Sequence, residues 1–158
     1  MSDKNEYQDL VDRLRILPDL VAKAVRGLND EQLDTPYGEG KWTVRQVVHH
    51  LADSHANANA RFKLTMTEDR PNLQTYDQDR WATLGDMNLP LEPSLEILRG
   101  IHRRWASLLG SLPTEAWNRE ADHREDGVYT LRSLVTVYAE HGEKHVKQIT
   151  DLRQRMGW

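Results

Sequence analysis

Apolar residues along most of this chain recur every three to four positions, which is the period of an α-helix with one buried face. We find no run of alternating apolar and polar residues long enough to indicate a half-buried strand. The pattern therefore predicts an all-α fold.

Four such stretches predict four principal helices, separated by segments rich in turn residues. The first is expected to run to about Arg26, with a weaker helical stretch before it, and the second to about Thr67. Short helical turns are expected from Asp30 to Leu33 and from Asp77 to Leu84. These elements describe an irregular four-helix bundle. A first-turn proline or an N-cap threonine marks the helix starts, at Pro18, Thr43, Pro93 and Thr130.

Length and charge limit the classes of protein to consider. The 158 residues fit one domain, spanning residues 1–158, with one continuous core. The net charge is −4, with 21 basic and 25 acidic residues interspersed, which lacks the electrostatic footprint of a nucleic-acid-binding protein. The N-terminus does not read as a secretory leader, and no segment approaches the ~20 apolar residues of a membrane span. We expect a soluble, cytoplasmic protein with neither nucleic acid nor a membrane as a partner.

The chain contains no cysteine. No protein thiolate is therefore available as a nucleophile or as a metal ligand, and a metal site in this chain would have nitrogen and oxygen ligands only. Any thiol chemistry would need a thiol supplied by a cosubstrate.

The clearest chemical signal is a pair of histidines in the fourth predicted helix. His141 and His145 are four residues apart, so they are neighbours on one helix face and both imidazoles can reach a single ion. Both interrupt an apolar stripe, and a buried imidazole without a partner is unfavourable. A shared partner such as a metal ion is therefore favoured. The stripe consists of Leu134, Tyr138, Ile149 and Leu152.

A third ligand is expected from a facing helix of the bundle, because metal sites in bundles are built from side chains on facing helices. The second helix offers His49, His50 and His55. Periodicity places His55 at the centre of the buried face and His50 on its flank, whereas His49 is predicted to point largely outward. Spacing alone ranks His55 slightly ahead of His50 and leaves both open.

Other conspicuous residues have ordinary explanations. His102 lies on an inner helix face near Trp105 and is read as structural, and His123 lies in a polar run typical of a solvated loop. Arg61 is expected to be solvated. Trp81 is the one tryptophan that we do not assign simply to the core, because it follows the Tyr76–Asp77 loop, which could cover a pocket.

Several segments together resemble one known family. The string GKWTVRQVVHHLADSHANANARFK, Gly40 to Lys63, resembles the corresponding stretch of the DinB/YfiT-like proteins, a four-helix-bundle family of metal-dependent enzymes. The later segments RPNLQTYDQDRWATL, HRRWASLL and HGEKHVKQITDLRQRMGW resemble later signatures of the YfiT type, in the same order. The resemblance thus covers most of the chain.

The resemblance implies a site in which three histidines hold one divalent ion per chain. In the YfiT type the first ligand is the second histidine of the pair before Leu-Ala-Asp, so the implied ligands are His50, His141 and His145. A flank position faces the neighbouring helix in a bundle, which is compatible with His50 in this role. Whether His55 or Asp53 assists stays open. Zinc is the first expectation for the ion, with nickel, iron or manganese as alternatives.

Three nitrogen ligands leave a tetrahedral ion one open position, as in catalytic rather than structural zinc sites. Such an ion can activate water or a thiol at neutral pH. Hydrolysis usually recruits a carboxylate base, but Glu143 is predicted on the opposite helix face and Asp53 away from the buried seam. This favours transfer of a low-molecular-weight thiol. The resemblance implies the same, because the better understood relatives are S-transferases that use bacillithiol or mycothiol.

Two alternatives remain. The first is a hydrolase that uses metal-activated water, the class given to other members of the resembling family. The second is a non-catalytic stress-response module, which would require a closed site with a fourth ligand from Asp53, Glu140 or His55. The expected partners are a small-molecule substrate, a thiol cosubstrate and a second copy of the chain. The resemblance implies the homodimer, and the apolar aromatic residues Trp81 and Trp105 merely permit one.

Overall fold

Four long helices form the body of the protein, as the apolar periodicity predicts. The computed structural model describes residues 2–158, with side chains described from Glu6 onward. The first and second long helices each pack against both the third and the fourth, and the four together surround the bundle core. The elements are α1 Ser2–Val25, α2 Asp30–Leu33, α3 Val44–Thr67, β1 Asn72–Leu73, α4 Gln78–Trp81, α5 Glu92–Gly110, β2 Glu120–His123, β3 Gly127–Thr130 and α6 Leu131–Met156, with 3-10 turns at Gly85–Asn88 and Thr114–Asn118.

The helices α3 and α6, which carry the candidate metal ligands, each begin at a threonine that caps the helix. The Thr43 side chain accepts a hydrogen bond from the backbone N–H of Gln46, and the Gln46 side chain accepts one from the backbone N–H of Thr43. Thr130 and Ser133 form the same reciprocal arrangement at the start of α6. The predicted N-caps Thr43 and Thr130 are therefore confirmed, and they fix where α3 and α6 begin.

The expectation that Pro18 opens the first helix is wrong. α1 begins at Ser2 and continues through Pro18, which lies inside it. Proline has no backbone N–H, so the carbonyl of Leu14, four residues earlier, loses its usual helical partner. That carbonyl instead accepts a hydrogen bond from the ring of His102 on α5, at 2.6 Å. A bond between helices thus replaces the missing bond within α1.

A small three-stranded sheet departs from the expectation of a purely helical chain. β1 pairs parallel with β2, and β2 pairs antiparallel with β3 in the hairpin that leads directly into α6. The strands have two to four residues each, which is too short for an alternating pattern to be visible in the sequence. The principal architecture is nevertheless the predicted four-helix bundle.

A polar layer divides the core into two apolar groups. One group contains Leu14, Phe62, Trp105 and Tyr138, and the other contains Leu17 and further residues of all four long helices. The buried polar residues of this layer include His50, His55, His102 and His145.

Of the two tryptophans that were considered for a homodimer interface, only one is accessible. Trp105 is fully buried and donates its indole N–H to Asn59, whereas Trp81 is 37% exposed and packs on Tyr76. The homodimer stays a prediction. Among the described residues, no helix combines the length and the apolar character that crossing a bilayer requires.

Gly142, between the two histidines of α6, allows α1 and α6 to approach closely. A β-carbon at Gly142 would stand 2.1 Å from a methyl carbon of Leu17, whereas one at Gly100 on α5 would meet nothing within 4 Å. We predict that Gly142→Ala lowers the free energy of unfolding by about 1–2 kcal/mol, because overpacking outweighs the gain in helix propensity. The matched control Gly100→Ala should raise it by up to ~1 kcal/mol. Urea denaturation measures both, and stabilisation by Gly142→Ala would show that Leu17 can move aside freely.

Candidate metal centre

Three histidine rings from two helices converge on one point. Nε2 of His141 lies 3.0 Å from Nε2 of His50 and 3.1 Å from Nε2 of His145. Their ligand atoms all lie within 4.8 Å of one another. Three nitrogens bound to one ion at ~2.0–2.1 Å stand roughly 3 Å apart, so the spacing suits a single metal ion.

The hydrogen bonds of His145 show that its Nε2 is available as a ligand. Nδ1 of His145 lies 2.7 Å from Oε1 of Gln148, and an amide oxygen can only accept, so Nδ1 carries the proton. In the neutral imidazole, Nε2 then presents its lone pair. This lone pair faces the Nε2 atom of His141 at 3.1 Å.

A chain of hydrogen bonds sets the proton arrangement of His141 in the same way. Nδ1 of His102 donates to the Leu14 carbonyl at 2.6 Å, so its Nε2 must accept from Nδ1 of His55 at 2.7 Å. Nε2 of His55 is then free to accept from Nδ1 of His141, across a longer 3.5 Å. With all three rings neutral, the carbonyl of α1 directs the lone pair of His141 Nε2 towards the other two histidines.

The donor set therefore fits a cation. The lone pairs of His141 and His145 face each other with no proton between them, an arrangement that is repulsive unless a positive charge lies there. Bonded Nδ1 atoms that hold the ring orientation are also typical of metal-binding histidines. The residues present can hold a divalent ion through His50, His141 and His145.

Burial keeps these rings neutral. Desolvation, followed by the neighbouring histidines, lowers the pKa of His50 and of His141 to about 3. Burial likewise lowers the pKa of His102 to about 4, against the opposing effect of the Leu14 carbonyl. The pKa values of His55 and His145 are also lowered, first by burial. Protons therefore compete weakly for the nitrogens at neutral pH.

The three rings form the floor of an open cavity of about 310 Å³. Trp42 forms one wall, with its ring 4.6 Å from that of His50 and 6.5 Å from that of His145. The exposed side chains of Lys41 and Lys144 line the same cavity. Further lining residues are Tyr37, Gln78, Asp79 and Gln148.

A second cavity, of about 440 Å³, shares His141 and Gln78 with the first. Arg61 and Tyr138 line it from the bundle, and Tyr76 lines it from the segment between β1 and α4. The expectation that Arg61 is simply solvated is therefore wrong. It is half-buried, and its guanidinium donates to the hydroxyl of Tyr138 at 2.7 Å.

The structure separates the three candidate histidines of α3. His50 joins His141 and His145, whereas His55 is fully buried and bonds to His102, one step behind His141. The prediction that His49 points outward is wrong. It is 6% exposed, and its ring bonds to the Ser94 hydroxyl at 2.6 Å and to the Leu89 carbonyl at 3.0 Å.

The sequence predicts that His102 is structural and that His123 is a solvated loop residue. His102 is structural in the sense that it bonds to Leu14 and His55, but this places it in the chain that orients His141. His123 is not a solvated loop residue. It lies in β2, its side chain is 9% exposed and 3.1 Å from the Asp126 carboxylate, and it lines the second cavity.

The carboxylates considered for the site lie elsewhere. Glu143 forms a two-point ion pair with Arg13 of α1, at 2.7 and 2.8 Å, and so faces away from the three histidines as predicted. Within the described part of the chain, no fourth histidine or carboxylate joins the group of His50, His141 and His145. This disfavours the closed site that a purely structural ion would need.

Sequence reasoning missed most of the residues around the three histidines. Gln148 could have been found, because it lies one helical turn after His145 and can reach its ring. Lys144 could have been found in the same way, because it lies three residues after His141 on the same helix. Asp79 and Lys41 carry no such signal, since they lie on a short helix and in a loop whose positions depend on the folded chain. The series of hydrogen bonds from Leu14 through His102 and His55 to His141 joins residues far apart in sequence, so it carries no local signal either.

Comparison with known proteins identifies the family to which this four-helix bundle belongs. The chain belongs to the DinB superfamily, whose family model matches residues 13–149. It is similar to a Bacillus cereus (strain 03BB102) protein named "Putative metal-dependent hydrolase", with 44% identity over 94% of this chain and 86% of that protein. A Bacillus anthracis (strain A0248) protein of the same name is 43% identical over the same shares.

A solved structure is similar over nearly the whole chain. It is that of YfiT from Bacillus subtilis, described as a probable metal-dependent hydrolase with an unusual four-helix bundle topology. The TM-score is 0.93 at 40% identity, covering 96% of this chain and 88% of YfiT. The family and the fold expected from the sequence are therefore confirmed.

We predict that His102→Phe weakens zinc binding by ~10–100-fold, because His55 loses its acceptor and His141 is no longer held in the ligating tautomer. His49→Phe is the matched control, since it removes two bonds from a buried histidine of α3 that does not contact the three rings. Competition with a chromogenic chelator measures the affinity, and ¹⁵N NMR reports whether His141 carries its proton on Nδ1. Equal affinities of the two variants would contradict the positioning role of His102.

We predict that the free energy of unfolding of the metal-free protein decreases as the pH is lowered. The pKa of His102 is about 4 in the fold and 6.5 ordinarily, so the unfolded chain binds more protons between these values. The contribution is complete above pH 6.5 and decreases towards pH 4, by about 3 kcal/mol for this group alone. Urea denaturation at pH 7, 5.5 and 4.5 measures it. His102→Gln, which does not titrate, should show a shallower decrease, and identical slopes would contradict the assignment.

Proposed function

We propose that this chain is a divalent-metal-dependent enzyme that transfers a low-molecular-weight thiol of the bacillithiol type to a small electrophile. His50, His141 and His145 would hold one ion, with zinc as the first choice. The observation that carries the proposal is the convergence of three neutral histidine nitrogens on the floor of an open cavity, with no fourth protein ligand among the described side chains.

The ion would act as a Lewis acid that makes a nucleophile available as its anion at neutral pH. The chain contributes the rest of the site. Gln148 and the Leu14–His102–His55 chain hold the rings of His145 and His141 in the ligating orientation. Trp42 packs against His50 and forms one wall of the cavity.

Two features favour a thiol over water as the nucleophile. None of the hydrogen bonds to the three histidines comes from a carboxylate, and Glu143 is occupied by Arg13, so a base beside the ion is not apparent in the described hydrogen bonds. A thiol needs less assistance than water, because its anion forms more readily. Lys41 and Lys144 line the cavity and would attract a thiol that carries acidic groups.

Hydrolysis is the second candidate, and one residue favours it. Asp79 lines the cavity with the three histidines and is the carboxylate there that could act as a general base. The printed names of the relatives from Bacillus point in the same direction. In that case the substrate would be an ester or amide, and no thiol would be required.

The experiment compares the two reactions on the zinc-loaded protein. Bacillithiol with monobromobimane tests thiol transfer, and 4-nitrophenyl acetate without thiol tests hydrolysis. We expect metal-dependent thiol transfer that is lost with His145→Ala, together with loss of one bound ion per chain by elemental analysis. His49→Phe, which changes a histidine of α3 that lines neither cavity, should keep the ion and most of the activity.

The outcomes are distinct. Turnover of the ester without thiol, reduced at least tenfold in Asp79→Asn, would replace the transferase with the hydrolase. Unchanged metal content in His145→Ala would remove the proposed site itself. Stoichiometric metal without turnover of either kind would favour the non-catalytic alternative.

A further inference from the structure

The second cavity contains a cation without an anionic partner. Among the described residues, no carboxylate forms an ion pair with Arg61 within 4.0 Å. Its hydrogen bonds go to neutral oxygens, the Tyr138 hydroxyl and the Gln74 carbonyl. By contrast, Arg13 and Arg45, which are also buried or half-buried, each pair with a carboxylate.

The neighbours of Arg61 do not supply the missing charge. Burial raises the pKa of Tyr138 and of Tyr76, so both phenols are neutral at neutral pH. Two carboxylates do line the cavity, but Asp77 is the N-cap of α4 and accepts from the backbone of Arg80. Glu125 is exposed in the β2–β3 turn. A guanidinium has five N–H donors, so Arg61 retains donors for a ligand.

The shape of the cavity indicates the size and character of the ligand. Its volume of about 440 Å³ is that of a small-molecule site. Tyr76 and Tyr138 give it aromatic walls beside the guanidinium, and Val137 adds an apolar side chain. His141 belongs both to this lining and to the group of three histidines, so a ligand held here lies next to the ion-binding point.

We propose that Arg61 binds the carboxylate of a small organic acid with an apolar body, and that this contact positions the acid beside His141 as the electrophilic substrate. A planar guanidinium matches a carboxylate through two parallel hydrogen bonds, which gives both affinity and orientation. The role as substrate rests on the proposed function, but the binding of the acid does not.

Binding is tested first, by calorimetry on the zinc-loaded protein. Benzoate is compared with benzamide, which has nearly the same shape and no charge. We expect benzoate to bind at least tenfold more tightly in the wild-type protein. Arg61→Gln should weaken benzoate by ~10–100-fold and remove the preference, whereas Arg61→Lys keeps the charge without the planar fork and should retain part of it.

The controls separate this site from the ion and from the surface. Arg103→Gln alters an exposed arginine of α5 and should leave benzoate binding unchanged. Benzoate that binds equally to wild-type protein and to folded Arg61→Gln, with full zinc content, would be bound by the ion and would overturn the proposal. Tighter binding of inorganic phosphate than of benzoate would overturn the assignment to a carboxylate. The wild-type comparison of benzoate with benzamide stands even if the Arg61 variants fold poorly.

Turnover tests the role as substrate separately. Bacillithiol is alkylated by iodoacetate or by neutral iodoacetamide; the sulfur–carbon bond forms, iodide leaves and the thiol proton passes to solvent. The wild-type ratio of kcat/KM for iodoacetate over iodoacetamide should exceed that of Arg61→Gln by at least tenfold, after correction for the uncatalysed rates. Equal ratios would restrict Arg61 to binding and overturn its role in substrate selection. Absence of all thiol turnover would count against the proposed function and leave the benzoate result intact.

Discussion

The hydrogen bond from His102 to the carbonyl of Leu14 is the interaction on which the orientation of the histidines in the candidate site depends. It exists because Pro18 cannot supply the N–H that this carbonyl would otherwise receive within α1. From that fixed acceptor, the proton positions of His102, His55 and His141 follow in turn. An apparent defect in one helix therefore determines which nitrogen a histidine on another helix presents to the site.

The polar layer would be unfavourable in a core without these bonds. Buried imidazoles lose their hydration, and the lowered pKa values of His50, His102 and His141 reflect this loss. Among the described residues, every buried side-chain nitrogen or oxygen has a hydrogen-bond partner. Apolar groups pack above and below the layer. The capped starts of α3 and α6 fix where each helix begins, and so the position of each histidine along its helix.

Much of the helical fold and part of the candidate site could be predicted from the sequence, because helical periodicity and capping depend on residues a few positions apart. The four helices, the caps Thr43 and Thr130, and the facing pair His141 and His145 follow from spacing alone. The choice of His50 over His55 does not follow from spacing, because helical periodicity cannot show which neighbouring helix each flank of α3 faces. That choice came from the family resemblance. The outward orientation expected for His49 was wrong for the same reason, because its partners Ser94 and Leu89 come from elsewhere in the chain.

The residues of the second cavity come from two kinds of structure. Arg61, Tyr138 and His141 belong to the rigid helices, whereas Tyr76, Asp77 and Gln78 belong to the connection before and at the start of α4, and Glu125 to the hairpin turn. The three converging histidines belong to the helices alone. Under the proposed function, substitutions in these connecting segments would therefore change which molecules are accepted without disturbing the ion, so that selectivity and reactivity would diverge independently during evolution.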